Sequence, residues 1–216
     1  MTDKPDIAIV GGTGALGKGL AMRLVRAGFR ITIGSRDSAR AEATAVEIGA
    51  TGGAENKDAA RQGDIVFVTV PFGSQADTLA AIADAVEGKI VVDCTVALKP
   101  PKVARVQLPD EGSAGAIAGT VLGDRATVVA GFHNISAEKL QGDATGDDLG
   151  DVLIFGDNVE AREKVIGLAE AMGIRGIHGG VLANSAAAEA LTSVLIAINK
   201  RYKVADGAGI RITGLG

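Results

Sequence analysis

Residues 7–17 read Ile-Ala-Ile-Val-Gly-Gly-Thr-Gly-Ala-Leu-Gly, so that four unbroken apolar residues run into glycines spaced Gly12-x-Gly14-x-x-Gly17. Leu16, Leu20, Leu24 and Val25 then follow at helical spacing up to an Ala27-Gly28 stop. The reading is a buried strand, a tight turn and an amphipathic helix, the opening unit of a parallel sheet. The glycines have separate expected roles. Gly12 permits the turn, Gly14 lets the main chain approach a pyrophosphate, and Gly17 lets helix and strand pack closely. The amides at the start of the helix remain open to an anion. The whole turn (Gly12, Thr13, Gly14, Ala15, Leu16 and Gly17) is therefore the candidate dinucleotide site.

The next strand ends in Gly34-Ser35-Arg36. A protein selective for NAD would place Asp or Glu there, on the ribose hydroxyls. A carboxylate would repel a 2′-phosphate, whereas the Ser35 hydroxyl and the Arg36 guanidinium can hydrogen-bond it. Arg40 lies one helical turn further on the same face. NADP(H) is expected over NAD(H). Two arginines at a helix start are otherwise ordinary solvated charges, and it is their position behind the fingerprint that decides for phosphate.

Strands and helices go on alternating. Helices are predicted over residues 38–48, 74–86, 113–122 and 160–172, and further strands over 64–71, 89–93, 127–133 and 151–156. The expectation is an α/β fold, a doubly wound Rossmann-type parallel sheet with a small carboxyl-terminal helical appendage. Residues 1–175 form its NADP-binding domain and 176–216 complete the substrate pocket, with a long helix over 186–202. Such sheets hold ligands outside the carboxyl ends of their strands, where the loops at Gly11, Ser35, Pro71 and Asp93 converge with His133. Only 3% of residues are aromatic and the net charge is −4, which disfavours nucleic acid. Cys94 is the only cysteine and His133 and His178 the only histidines. Disulfide frameworks and metal centres of cysteine or histidine are thereby excluded within one chain. The amino end lacks a basic start and an apolar signal core, and no apolar run approaches about 18 residues. A cytoplasmic protein without a membrane partner is expected.

Taken together, Gly11 to Ala21, Gly34-Ser35-Arg36, Val70-Pro71, His133, Ile135 and Ala137 resemble the NADPH-dependent F420 reductases (F420H2:NADP oxidoreductases). So do Leu182, Asn184, Glu189-Ala190-Leu191-Thr192, Asn199 and Gly209-Ile210-Arg211-Ile212-Thr213. The resemblance implies reversible hydride exchange between NADP(H) and the 5-deazaflavin coenzyme F420. It implies NADP contacts at Thr13, Ser35, Arg36 and Arg40. Deazaflavin walls are implied at Pro71, His133, Ile135 and the carboxyl-terminal segment. One departure stands out: Thr95-Val96-Ala97-Leu98 occupies the place where family members tend to carry an Asn/Ser-Pro-Leu turn beside the pocket.

Hydride transfer between two flat rings asks the protein for orientation, about 3 to 3.5 Å between donor and acceptor carbons, and a dry slot. Gly14, Ala15, Pro71, Phe72 and Ile135 suit such a slot, and Val70 with Pro71 is a candidate cofactor contact. His133 is the candidate catalytic donor to charge developing on the deazaflavin, and a structural histidine bonded to a neighbouring loop is the equal alternative. Asp93 either touches ribose or simply ends its strand. Cys94 reads as a small apolar residue. Lys200, Arg201 and Lys203 suit a helix carboxyl end, or else the acidic tail of a deazaflavin. His178 has no assigned role. A homodimer is expected from the alanine-rich last helix, which needs an apolar partner surface. Two other functions fit the fingerprint: reduction of another acceptor, such as a flavin, a pterin or a ferric complex, and NADPH sensing without catalysis.

Overall fold

The computed structural model describes residues 4–215. One sheet organises them, with strands β1 (Ile7–Val10), β2 (Ile31–Ser35), β3 (Gly52–Glu55), β4 (Ile65–Val68), β5 (Ile90–Asp93), β6 (Thr127–Gly131), β7 (Asp151–Phe155) and β8 (Arg175–Gly180). Their order is β3-β2-β1-β4-β5-β6-β7-β8. The chain reverses direction of travel across the sheet at β1, which pairs with β2 on one side and β4 on the other. That is the switch point of a doubly wound sheet, where a crevice opens at the carboxyl ends of the strands. The six strands from β3 to β6 run parallel, and β7 lies antiparallel to β6.

The central strands are buried on both faces because side-chain size alternates along them. Ile7 and Ile9 join Leu20, Leu24, Ile31 and Ile33 on one side, while Ala8 and Val10 join Val66, Val68, Leu79 and Ile82 on the other. Helices α1 (Ala15–Arg26), α2 (Ser38–Ile48), α6 (Ala137–Gln141) and α7 (Val159–Ala171) cover the first face. Helices α3 (Asn56–Gln62), α4 (Gln75–Ile82) and α5 (Ala114–Leu122) cover the second. The expected boundaries of α2 agree with the structure, since Asp37 caps it by accepting the Arg40 N–H at 3.2 Å.

Four elements escape the sequence reading. β3 reads Gly-Gly-Ala-Glu, with no β-branched residue, because it lies hard against α2: a Cβ on Gly53 would sit 2.3 Å from the carbonyl carbon of Ala41. α3 buries only Ala59 and Ala60, too little for a periodic signal. α6 is five residues long. β8 is glycine-rich and pairs parallel to β7, so the division expected after residue 175 falls inside a strand of the main sheet.

Helix α8 (Ser185–Tyr202) closes the fold. By length and composition the stretch Leu182–Tyr202, with a mean hydropathy of 1.3, meets the criterion for crossing a membrane, which the sequence reading did not anticipate. Its Glu189, however, is 2% exposed and accepts the N–H groups of Ala114 and Gly115 at 2.8 and 3.1 Å. The carboxylate thereby caps the amino end of α5 and ties α8 into the fold.

Candidate functional site

The crevice begins where β1 ends. Gly11, rather than Gly12, takes the left-handed conformation, with φ at 75°. Gly12 is instead wedged against the strand, since a Cβ there would stand 2.7 Å from the carbonyl oxygen of Ile9. Gly17 has the packing role expected of it, because its Cβ would come within 2.5 Å of Thr69 Oγ1 and 2.7 Å of Gly12 Cα. At Gly14 a Cβ would meet only the Gly11 oxygen, at 3.4 Å. Gly14 is also the N-cap of α1 and offers no side-chain cap, leaving the helix amides unfilled.

Thr13, Gly14, Ala15, Leu16, Ser35, Arg36, Arg40, Val70, Pro71 and Phe72 all border one cavity of about 660 Å³. These are the sequence-predicted residues that tertiary structure brings together. A neighbouring cavity of about 410 Å³ continues past Ser35 and Arg36 along α4. Gly12 and Gly17 support the turn from behind and do not border the crevice. Thr95, Val96 and Leu98, expected beside the pocket by family resemblance, do border the crevice; the sequence reading missed Asn56, Thr69 and Thr78, together with Pro100 and Val103 further along the long β5–α5 connection. The length of that connection, unbroken by secondary structure, was the available signal. A larger cavity of about 830 Å³ opens at the amino ends of the strands. Three of its four cations are engaged, Lys4 with the Ala27 carbonyl, Lys89 with those of Ala60 and Arg61, and Arg30 with Asp6; the fourth is Lys164.

His133 and Ile135 do not border the crevice; they are 3% and 9% exposed. Phe132 follows β6 with φ at 63°, so the backbone leaves the strand conformation immediately before His133. Phe132 itself packs on Phe67 with ring centroids 5.8 Å apart. Burial lowers the His133 pKa to about 4, so the imidazole is neutral near pH 7. The polar group set against the ring is the backbone of Asp93, at the end of β5, while the His133 carbonyl accepts the Thr192 hydroxyl at 2.8 Å. The ring therefore does not face the crevice as a donor, and its surroundings suit the structural alternative.

Beside it lies a buried polar group around Asp93. Gln75 Nε2 donates to Asp93 Oδ2 at 2.8 Å and to the Ala114 carbonyl at 2.9 Å. Burial pushes Asp93 up to about 7, hydrogen bonds from Thr95 and Gln75 opposing it and the charge of Glu189 adding to it. Asp93 is fully buried and ends its strand without meeting the crevice. Because the folded-state value lies above the unfolded one, this group's contribution is intact below about pH 4 and is lost as pH rises through about 7. Asp93→Asn removes that dependence. The thermal midpoint of the variant relative to the parent should rise by roughly 5 °C between about pH 5 and pH 8. A constant difference across that range would show that Asp93 stays ionised. Burial also pushes the Cys94 thiol well above its usual value, as expected of an inert small side chain.

The antiparallel turn of β7 brings its start to the same end of the sheet as the crevice. Asp151 binds Arg175 through both carboxylate oxygens at 2.8 and 2.7 Å and accepts the Ile212 N–H at 2.6 Å. The carboxyl-terminal segment is held there. On the α1 side, Gln141 Nε2 of α6 donates to the Ala15 carbonyl at 2.8 Å.

The sequence model described as NADP oxidoreductase coenzyme F420-dependent matches residues 6–97. F420-dependent NADP reductases of Methanothermobacter marburgensis and Methanocaldococcus jannaschii are 40% and 38% identical to this chain. Each match spans 97% of this chain and 98% of the relative. A crystal structure from Arthrobacter sp. FB24 superposes with a TM-score of 0.83 over 99% of this chain and 100% of its own; at 23% identity it speaks to the fold alone.

Proposed function

Since the chain belongs to the family of coenzyme F420-dependent NADP oxidoreductases, we propose that the crevice at the carboxyl ends of β1, β2 and β4 is where it carries out the family's reaction. It is an oxidoreductase that moves a hydride between NADP(H) and F420. The observation that carries the site assignment is the uncapped start of α1 at Gly14, facing a cavity whose other end holds Ser35, Arg36 and Arg40. The donor set fits the nucleotide. Open amides and a helix amino end suit the pyrophosphate, and a hydroxyl with two guanidinium groups suits a 2′-phosphate.

The reaction chemistry resides in the two heterocycles, and the residues of the chain orient them and exclude water. Val70 and Pro71 support the nicotinamide end in this reading. Phe72 borders the deazaflavin, and His133 and Ile135 back the second ring from beneath. The β5–α5 connection, with apolar Val96, Leu98 and Val103, keeps the slot dry. His133, kept neutral by burial and set against the Asp93 backbone, would serve as an uncharged donor once the second substrate uncovers the ring.

Mixing the protein with NADPH and F420 should oxidise the nicotinamide one for one with loss of oxidised deazaflavin. Oxidation with a flavin, a pterin or a ferric chelate but not with F420 would overturn the reading. Arg36→Ala should weaken NADPH by about 1.5 to 3 kcal/mol and leave NADH almost unchanged. Titration of both nucleotides checks this, and equal losses would remove the 2′-phosphate from Arg36.

The same reading includes a homodimer in the cytoplasm, with residues 1–175 carrying the nucleotide and 176–216 completing the second pocket. Support for self-association comes from α8 and its approach, where Val181, Val194 and Tyr202 are 51%, 45% and 74% exposed.

A further inference from the structure

Asn56 is the first residue of α3, directly after an edge strand whose Glu55 stands opposite Ser35 in the parallel register. That register carries the Asn56 side chain under the end of β2 to the glycine turn, 45 residues away in sequence. Its Oδ1 accepts the Gly11 N–H at 3.2 Å. The donor is a backbone amide, so the side-chain atom facing it must be the oxygen, and the orientation of the carboxamide follows from chemistry. Gly34 makes room for it, since a Cβ there would lie 3.0 Å from Asn56 Oδ1.

With the oxygen committed inward, the Nδ2 amide is left as the group of this side chain free to bind something else. Among the described residues it has no hydrogen-bond partner, and Asn56 is half-buried at the junction of the two cavities, bordering both together with Ser35 and Arg36. Two functions meet in one side chain: an acceptor that holds the turn, and a donor beside the residues assigned to the 2′-phosphate.

We propose that Asn56 is a specificity-determining residue for NADP, its Oδ1 fixing the Gly11 turn and its Nδ2 donating to the oxygens at the 2′ position of the adenosine ribose. The proposal rests on the assignment of Ser35 and Arg36 to the 2′-phosphate. Lysine and arginine would attract any phosphate, whereas a carboxamide locked by one backbone N–H presents its donor in a single direction. It therefore contributes geometry more than charge.

The test compares Asn56→Asp, Asn56→Ala and Arg36→Ala, reading kcat/KM for NADPH and NADH with F420 as acceptor and the thermal midpoint of each variant. Aspartate keeps the acceptor for Gly11 but replaces the donor with a negative charge. NADPH should lose about 30-fold or more and NADH about threefold or less. Alanine loses both functions, so NADH should fall about threefold and NADPH about tenfold. Equal losses for the two nucleotides in Asn56→Asp, or in Asn56→Ala should the aspartate variant not fold, would overturn the proposal and leave Asn56 a turn anchor only. If Arg36→Ala then still costs NADPH much more than NADH, the 2′-phosphate assignment stands and only Asn56 is wrong. If Arg36→Ala costs both nucleotides equally, the assignment beneath the proposal falls with it.

Discussion

Gly14→Val should abolish NADPH binding in a protein that remains folded. The backbone at Gly14 is extended, with φ at −78° and ψ at 164°, a conformation that valine adopts without strain. The surroundings also tolerate a Cβ, whose nearest contact would be the Gly11 oxygen at 3.4 Å. The added carbons enter the crevice, at the point where the start of α1 must meet a pyrophosphate. A loss of about 100-fold or more is expected, equivalent to about 3 kcal/mol. The thermal midpoint without nucleotide should move by less than about 2 °C. Gly17→Val makes the contrast, since its side chain would collide with Thr69 Oγ1 and the Gly12 backbone. It should lower stability by about 1 to 3 kcal/mol. Titration and thermal melts of both variants separate the roles. Full NADPH affinity in folded Gly14→Val would mean that the glycine pattern serves packing alone.

Arg23→Met should be strongly destabilising while leaving the crevice lining intact. Arg23 lies in α1 and is 7% exposed, with its guanidinium spread over carbonyl groups of the segment around α6. Nε donates to Leu140 at 2.9 Å, and Nη2 donates to Lys139, Gly142 and Ala144 at 2.8, 3.1 and 2.8 Å. A five-residue helix cannot satisfy its own last carbonyls, and Arg23 does so from another element. Burial lowers its pKa, with Arg26 adding and Asp143 opposing, so a charge is being held where only hydrogen bonds can repay its desolvation. Methionine fills the space but leaves those carbonyls unpaired. A loss of about 3 to 5 kcal/mol is expected, or roughly 10 °C in thermal midpoint for a chain of this length. Arg23→Lys should fall between, because an ammonium cannot fork over several acceptors. A shift under about 2 °C for Arg23→Met would show that water takes over these bonds. Amide exchange at residues 139–144 should rise in the variant well before global unfolding.

Much of the nucleotide half was legible because its signals are local. The run from Ile7 to Gly17 carries strand, turn and helix within eleven residues, and Ser35-Arg36 declares its chemistry by type and place. Asp37 announces α2 as a cap does, three residues before the amide it accepts. Even so, the choice of Gly11 over Gly12 for the left-handed position was not legible. Both are glycines, and in the folded chain a Cβ at either would come within 2.7 Å of a neighbour, Val70 at Gly11 and Ile9 at Gly12.

The second-substrate side was legible mainly through family resemblance, and there the structure parted from expectation. His133 follows β6 closely enough to suggest a side chain facing the crevice, yet after the left-handed Phe132 the ring lies buried. β3 and β8 were missed because glycines leave no hydrophobic pattern to read. They are strands by virtue of partners, β3 beside β2 and β8 beside β7.

The sequence by itself determined the fold class, the glycine turn at the end of β1 and the placing of Ser35, Arg36 and Arg40 beside it, because periodicity, turn chemistry and charge act between residues a few positions apart. Only the tertiary structure decided that Asn56 meets Gly11, that Glu189 caps α5, that Arg23 closes α6 and that His133 is buried. Those contacts join residues brought together by sheet register and helix packing. No local rule specifies which of many polar side chains will arrive beside a given backbone amide or carbonyl.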